Sequence, residues 1–193
     1  LERKEEECLK TGIKTLGVIN DEISSKVRIQ YEDNPFPRWI NLGLIKEPIY
    51  IRELVDRCRL KLTSPTVKKL QAPSILIAGC GTGQHSIETA ARFKNSKVSA
   101  IDLSLSSLAY AKRKTKELGM QNIEYIQADL LDLEKLGSKF DLIECVGVLH
   151  HMRDPLKGWK VLTKCLKPGG LMKIGLYSKL ARKSVADFRK SIN

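Results

Sequence analysis

The 193-residue sequence is short of several features, and each shortage narrows the reading. It has no run of about 18 or more apolar residues, which argues against a membrane span. It has no basic-then-apolar N-terminus of the kind that forms a signal peptide. Only three histidines occur, so a histidine-based metal site is not expected. The five cysteines (Cys8, Cys58, Cys80, Cys145 and Cys165) are scattered and never in C-x-x-C spacing. That spacing gives no zinc site and fits reduced thiols in a cytoplasmic protein. Aromatics make up 6% of the chain and are not interleaved with the basic residues. The formal charge of +12 therefore reads as solvated helix faces ahead of a nucleic-acid surface, although an acidic partner stays open.

What is present centres on Ile75-Leu-Ile-Ala-Gly-Cys-Gly-Thr-Gly-Gln-His85. Four apolar residues run into a loop with Gly79, Gly81 and Gly83, and a helical pattern follows from about Thr82 to Phe93. An unbroken apolar run predicts a strand buried on both faces of a parallel sheet. Glycines directly after it permit a tight turn and close approach of a ligand. The helix that follows points its N-terminal amides at whatever sits above the loop. The dinucleotide fingerprint needs a third glycine at position 84, where Gln84 stands, and the P-loop needs a lysine that is absent. The pattern present is G-x-G-x-G.

The rest of the chain alternates. Ahead of the loop, Ile23 to Tyr31 predicts a short amphipathic helix, with Ile23, Val27 and Tyr31 on one face. Tyr31-Glu-Asp-Asn-Pro-Phe-Pro-Arg-Trp39 follows, stiffened by two prolines, and is read either as a lid that touches a ligand or as a loop pinning the N-terminal segment. A helix is expected over 49–62, with Ile51, Leu54, Val55 and Cys58 on one face. After the glycine loop come strands over 98–102, 122–127 and 139–146. Ser104 caps a helix to Leu118, and Asp154-Pro155 starts another to Leu166. Pro168-Gly169-Gly170 turns the chain into a fifth strand over 171–177, and a last basic helix starts near Ser178. Strand–helix alternation predicts an α/β fold with a doubly wound, mostly parallel, Rossmann-like sheet. Residues 1–72 read as an N-terminal appendage or lid segment and 73–193 as the main domain.

Ligands of such sheets lie beyond the carboxyl ends of the strands. The second strand ends in Asp102, roughly twenty residues past Gly79, where a carboxylate takes a ribose diol. The third ends in Ala128-Asp129-Leu130, the fourth in Glu144-Cys-Val-Gly-Val-Leu-His-His-Met152.

Ala-Gly-Cys-Gly-Thr-Gly, Ile-Asp-Leu-Ser, Gln-Ala-Asp, Phe-Asp-Leu-Ile with Gly-Val-Leu-His-His, and Leu-Lys-Pro-Gly-Gly occur in the order and spacing of class I methyltransferases dependent on S-adenosylmethionine (SAM). About residues 73–177 resemble that family, and the Gln30–Trp39 lead-in resembles bacterial methyltransferases joined to tetratricopeptide repeats. The resemblance implies SAM as cofactor, held by Gly79, Cys80, Gly81, Gly83, Asp102, Leu103, Asp129, Leu130 and Val146. Asp129 would accept from the adenine amino group. Tyr31 is an implied further contact, and Arg38 is a candidate for the methionine carboxylate. His150 and His151 are read either as acceptor-side catalytic groups or as residues that orient the helix entry.

Two departures stand out. The family carries an acidic residue two places before the first glycine, and Ile77 occupies that position here. The family fold also continues past the fifth strand, whereas this sequence starts at Leu1 and stops in a helical pattern, as a C-terminally incomplete piece would. The expected activity is methyl transfer to a small-molecule or protein acceptor. A non-catalytic SAM-binding module and a nucleic-acid methyltransferase are the alternatives.

Overall fold

The computed structural model describes residues 2–178, 180, 181 and 188. Six strands form one sheet: β1 (Lys14–Leu16), β2 (Ser74–Ala78), β3 (Lys97–Asp102), β4 (Ile123–Ala128), β5 (Phe140–Val146) and β6 (Leu166–Gly175). Their order is β1-β4-β3-β2-β5-β6 and every pairing is parallel. The α-helices are α1 (Glu2–Lys10), α2 (Glu22–Asp33), α3 (Ile51–Arg57), α4 (Gln84–Arg92), α5 (Leu105–Glu117) and α6 (Pro155–Cys165).

The apolar run of β2 behaves as its pattern requires. Ile75 and Ile77 pack to one side with Phe93, Leu108 and Val55, while Leu76 and Ala78 pack to the other with Val161, Leu162 and Cys165. All four are fully buried, and each isoleucine or leucine contributes about 1.5–3 kcal/mol through burial. The doubly wound α/β expectation is therefore met strand by strand.

Local differences have local causes. β1 is not foreseen in the sequence: three residues with one apolar side chain carry no alternation signal. It forms because the outer edge of β4 is open to it, with Lys14 beside Ile126 and Leu16 beside Ala128. Residues 1–72 thus contribute an edge strand to the sheet, and Glu6 of α1 meets the fully buried Arg113 of α5 at 3.0 Å.

The helix expected over 49–62 is only Ile51–Arg57. Ile49 is taken by an extended bridge to Phe93, Tyr50 caps the helix, and Arg59 at φ 52 ends it. Cys58, placed on the apolar face by spacing, is exposed. The Pro168-Gly169-Gly170 segment does not precede the last strand but lies inside it. There the register against β5 shifts between Phe140 and Leu142, and Gly169 takes φ 76. The basic helix expected from Ser178 falls largely outside the described residues.

Candidate active site

The loop after β2 shows why three glycines stand there, and each has its own reason. Gly79 has φ 76, and a Cβ on it would lie 2.1 Å from Val148 Cγ2. Gly83 caps α4, where a Cβ would lie 2.5 Å from the Ala111 Cβ on α5. Gly81 is different, because a Cβ there would meet nothing within 4 Å. Two of the three serve packing, and Gly81 alone opens on free space. Cys80, between them, is buried, and burial holds its thiol well above the ordinary value.

That space is a cavity of about 170 Å³ at the carboxyl ends of the strands. It lies where the strand order reverses at β2, the position at which open α/β sheets bind ligands. Of the residues singled out in the sequence, Tyr31, Gly79, Gly81, Asp102, Leu103, Asp129, Leu130, Val146 and His151 line it. Cys80, Gly83, Arg38 and His150 do not. Phe36, in the loop read either as a ligand-touching lid or as a pin for the N-terminal segment, lines the cavity too, whereas sequence reasoning did not single out Val148 and Met152 or assign Ile23 and Val27 of α2 to the lining. The i, i+4, i+8 spacing of Ile23, Val27 and Tyr31 was the available signal. It marks an apolar helix face without saying what the face covers.

Two carboxylates line the cavity, Asp102 and Asp129, at the ends of β3 and β4. Asp102 Oδ2 accepts from the Gly81 amide at 2.8 Å, and Oδ1 accepts from the Ser104 amide at 3.0 Å. Burial pushes its carboxyl above the ordinary value, against these amides, which favour the ionised form. A carboxylate has about four acceptor positions, so roughly one per oxygen is left for a vicinal diol. Asp129 is 4% exposed, and its Oδ1 caps the following turn through the Leu131 amide at 2.9 Å. Its Oδ2 has no hydrogen-bond partner among the described residues and is available to an amino group.

Arg38 is held elsewhere. Its guanidinium donates to Glu6 at 2.8 and 3.2 Å and stacks on Tyr110, with Cζ 4.5 Å from the ring centre. The structure thus ties it to α1 and α5 rather than bringing it to the cavity. The two histidines divide: His151 faces the cavity, whereas the His150 ring lies 3.8 Å from that of Tyr177. Ile77, where the resemblance leads one to expect an acid, is fully buried in the core. Among the described residues, no three His, Cys, Asp or Glu side chains are grouped to hold a metal ion. No described helix is long and apolar enough to cross a membrane.

A glycine loop beside two acidic strand ends, at the switch point of a parallel sheet, defines a nucleotide-type cofactor site. Comparison with known proteins narrows the class. The family model for methyltransferase domains matches residues 75–170, and the chain belongs to the class I methyltransferase family. An uncharacterised protein of Synechococcus is 37% identical over 125 residues, covering 64% of this chain and 30% of its own. The ubiquinone biosynthesis O-methyltransferase of Leptothrix cholodnii is 32% identical over 118 residues, covering 60% and 49%. The solved structure of Rickettsia typhi PKMT2 in complex with AdoHcy superimposes with a TM-score of 0.53 at 27% identity, covering 65% of this chain and 24% of that one. The chain thus spans less than half the length of each of these proteins.

Proposed function

We propose that this chain binds SAM in the cavity and transfers its methyl group to a small-molecule or protein acceptor. The observation that carries the reading is the convergence of Gly81, Asp102 and Asp129 on one cavity at the strand ends. The residues fit the group: Gly81 leaves room where a side chain would intrude, and Asp102 retains acceptor positions for two hydroxyls. Asp129 Oδ2 suits the amino group of a base, with Leu103 and Leu130 as apolar contacts for its ring. The sulfur end then lies toward Gly81, Val146 and His151.

When bound, SAM supplies an electrophilic methyl on a sulfonium, transferred by in-line displacement. The chain's own contribution is alignment and exclusion of water. The α2 face of Ile23, Val27 and Tyr31 walls the cavity from solvent. His151 is the lining group able to take a proton from a hydroxyl or amino acceptor, and an acceptor that is already a good nucleophile needs no base.

Thermal unfolding with added ligand tests the reading. S-Adenosylhomocysteine (AdoHcy) or SAM at about 100 times its dissociation constant stabilises by about 2.7 kcal/mol, a shift of several degrees. NADH at the same concentration leaves the midpoint in place. A shift with NADH, or none with AdoHcy and SAM, contradicts it.

A further inference from the structure

The segment after α2 is fastened on both sides of the cavity. On one side Glu32 accepts from Ser104 Oγ (3.0 Å), the Ser106 amide (3.1 Å) and Ser106 Oγ (2.9 Å), just past Asp102 and Leu103. On the other side Thr82, within the glycine loop, donates to the Pro37 carbonyl at 2.6 Å and accepts from Trp39 Nε1 at 3.1 Å. The Tyr110 hydroxyl adds a bond to the Trp39 carbonyl. Between these fastenings run Asn34, Pro35 and Phe36, with prolines on both sides of Phe36 limiting the backbone.

Phe36 borders the cavity and yet is 72% exposed. A large apolar ring held at a cavity rim by a fastened loop is placed to be covered when the cavity fills. Its neighbour Pro37 is bonded to the glycine loop, so the ring belongs to the Gly81 end rather than the Asp129 end. The acids among the described lining residues are Asp102 and Asp129. Asp102 already accepts from the Gly81 amide and is assigned to the ribose, and Ile77 supplies no further acid for a cation at that end. An aromatic face carries negative charge density that attracts a cation, including one with no hydrogen to donate.

Building on the SAM reading, we infer that Phe36 caps the sulfur end of the bound cofactor. Its ring face favours the sulfonium of SAM over the neutral sulfur of AdoHcy. Phe36 is thus a specificity residue that discriminates the methyl donor from the spent product.

The test is calorimetric titration of the native chain, Phe36→Leu and Phe36→Tyr with SAM and, separately, AdoHcy. Leucine keeps an apolar cap and removes the π face. Phe36→Leu should weaken SAM by roughly 3- to 30-fold and AdoHcy much less, while Phe36→Tyr keeps the native SAM-to-AdoHcy ratio. The ligand-free unfolding midpoint of both variants should stay at the native value, because the ring is exposed. A SAM-to-AdoHcy ratio unchanged in Phe36→Leu overturns the inference and leaves the SAM reading standing. No binding of either ligand by the native chain overturns both.

Discussion

Glu144 Oε2 lies 2.5 Å from His85 Nε2, joining β5 to the first turn of α4 directly beyond the glycine loop. Glu144 is also the register partner of Ile77 on β2. The acid that the family carries on the loop strand is missing, and an acid stands one strand over. Its side chain is 3% exposed. Thr89 Oγ1 donates to it at 2.9 Å, and Lys173 lies at 3.8 Å. Burial alone raises such a carboxyl, but the bond and charge of His85, with Lys173 and Thr89, outweigh it and hold the group below its ordinary value.

Removing His85 would leave a buried carboxylate short of its closest partner. His85→Ala is expected to cost about 1.5–3 kcal/mol, the worth of a hydrogen bond to a charged group. Urea unfolding reads it as a lowered midpoint at unchanged slope. An unchanged midpoint would show that the pair does not hold α4 to the sheet.

The glycines separate packing from binding. Gly79→Ala drives a methyl group into Val148, whereas Gly81→Ala meets no protein atom and bears only the roughly 1–2 kcal/mol of a side chain at positive φ. Gly79→Ala should therefore unfold at a clearly lower temperature than Gly81→Ala, and both should lose the stabilisation given by AdoHcy. Equal melting temperatures, or full stabilisation of Gly81→Ala by AdoHcy, would contradict the geometry.

Acid should loosen the base of the sheet. Asp141 Oδ2 accepts from the Ser74 amide (2.9 Å), Ser74 Oγ (2.8 Å) and Lys167 Nζ (2.9 Å). Burial pushes this carboxyl up, but those bonds overcome it and leave the group below its ordinary value. A depressed carboxyl stabilises the fold above its unfolded value, about 3.9, and that contribution fades as pH falls through the folded value. Native stability, measured by urea titration at successive pH, should decline below about pH 4. Asp141→Asn should start lower and decline less. Parallel curves would remove Asp141 from the account.

Much of this was legible in the residues. The run Ile75–Ala78 and the helix caps Ser104 and Asp154 act through local pattern, and the structure places each as read. Asp102 and Asp129 were legible because strand ends are where the fold puts ligands. The edge strand at Lys14–Leu16 was not, since it depends on an open edge more than 100 residues away. The partner of Arg38 was hidden for a related reason. Arg38 was singled out by its likeness to N-terminal arginines of related methyltransferases, and nothing in its neighbours reveals that it pairs with Glu6 of a distant helix. Glu144 and His85 were overlooked because their pairing crosses from strand to helix over 59 positions.

The most direct measurement is calorimetric titration of AdoHcy into the native chain, Asp102→Ala and, as a control outside the cavity lining, Asp132→Ala. One site per chain is expected, with a loss of roughly 10- to 100-fold in Asp102→Ala, the worth of charged hydrogen bonds to a ribose. Asp132→Ala should match the native chain. Equal affinity in native chain and Asp102→Ala would mean that AdoHcy does not sit where Gly81, Asp102 and Asp129 converge.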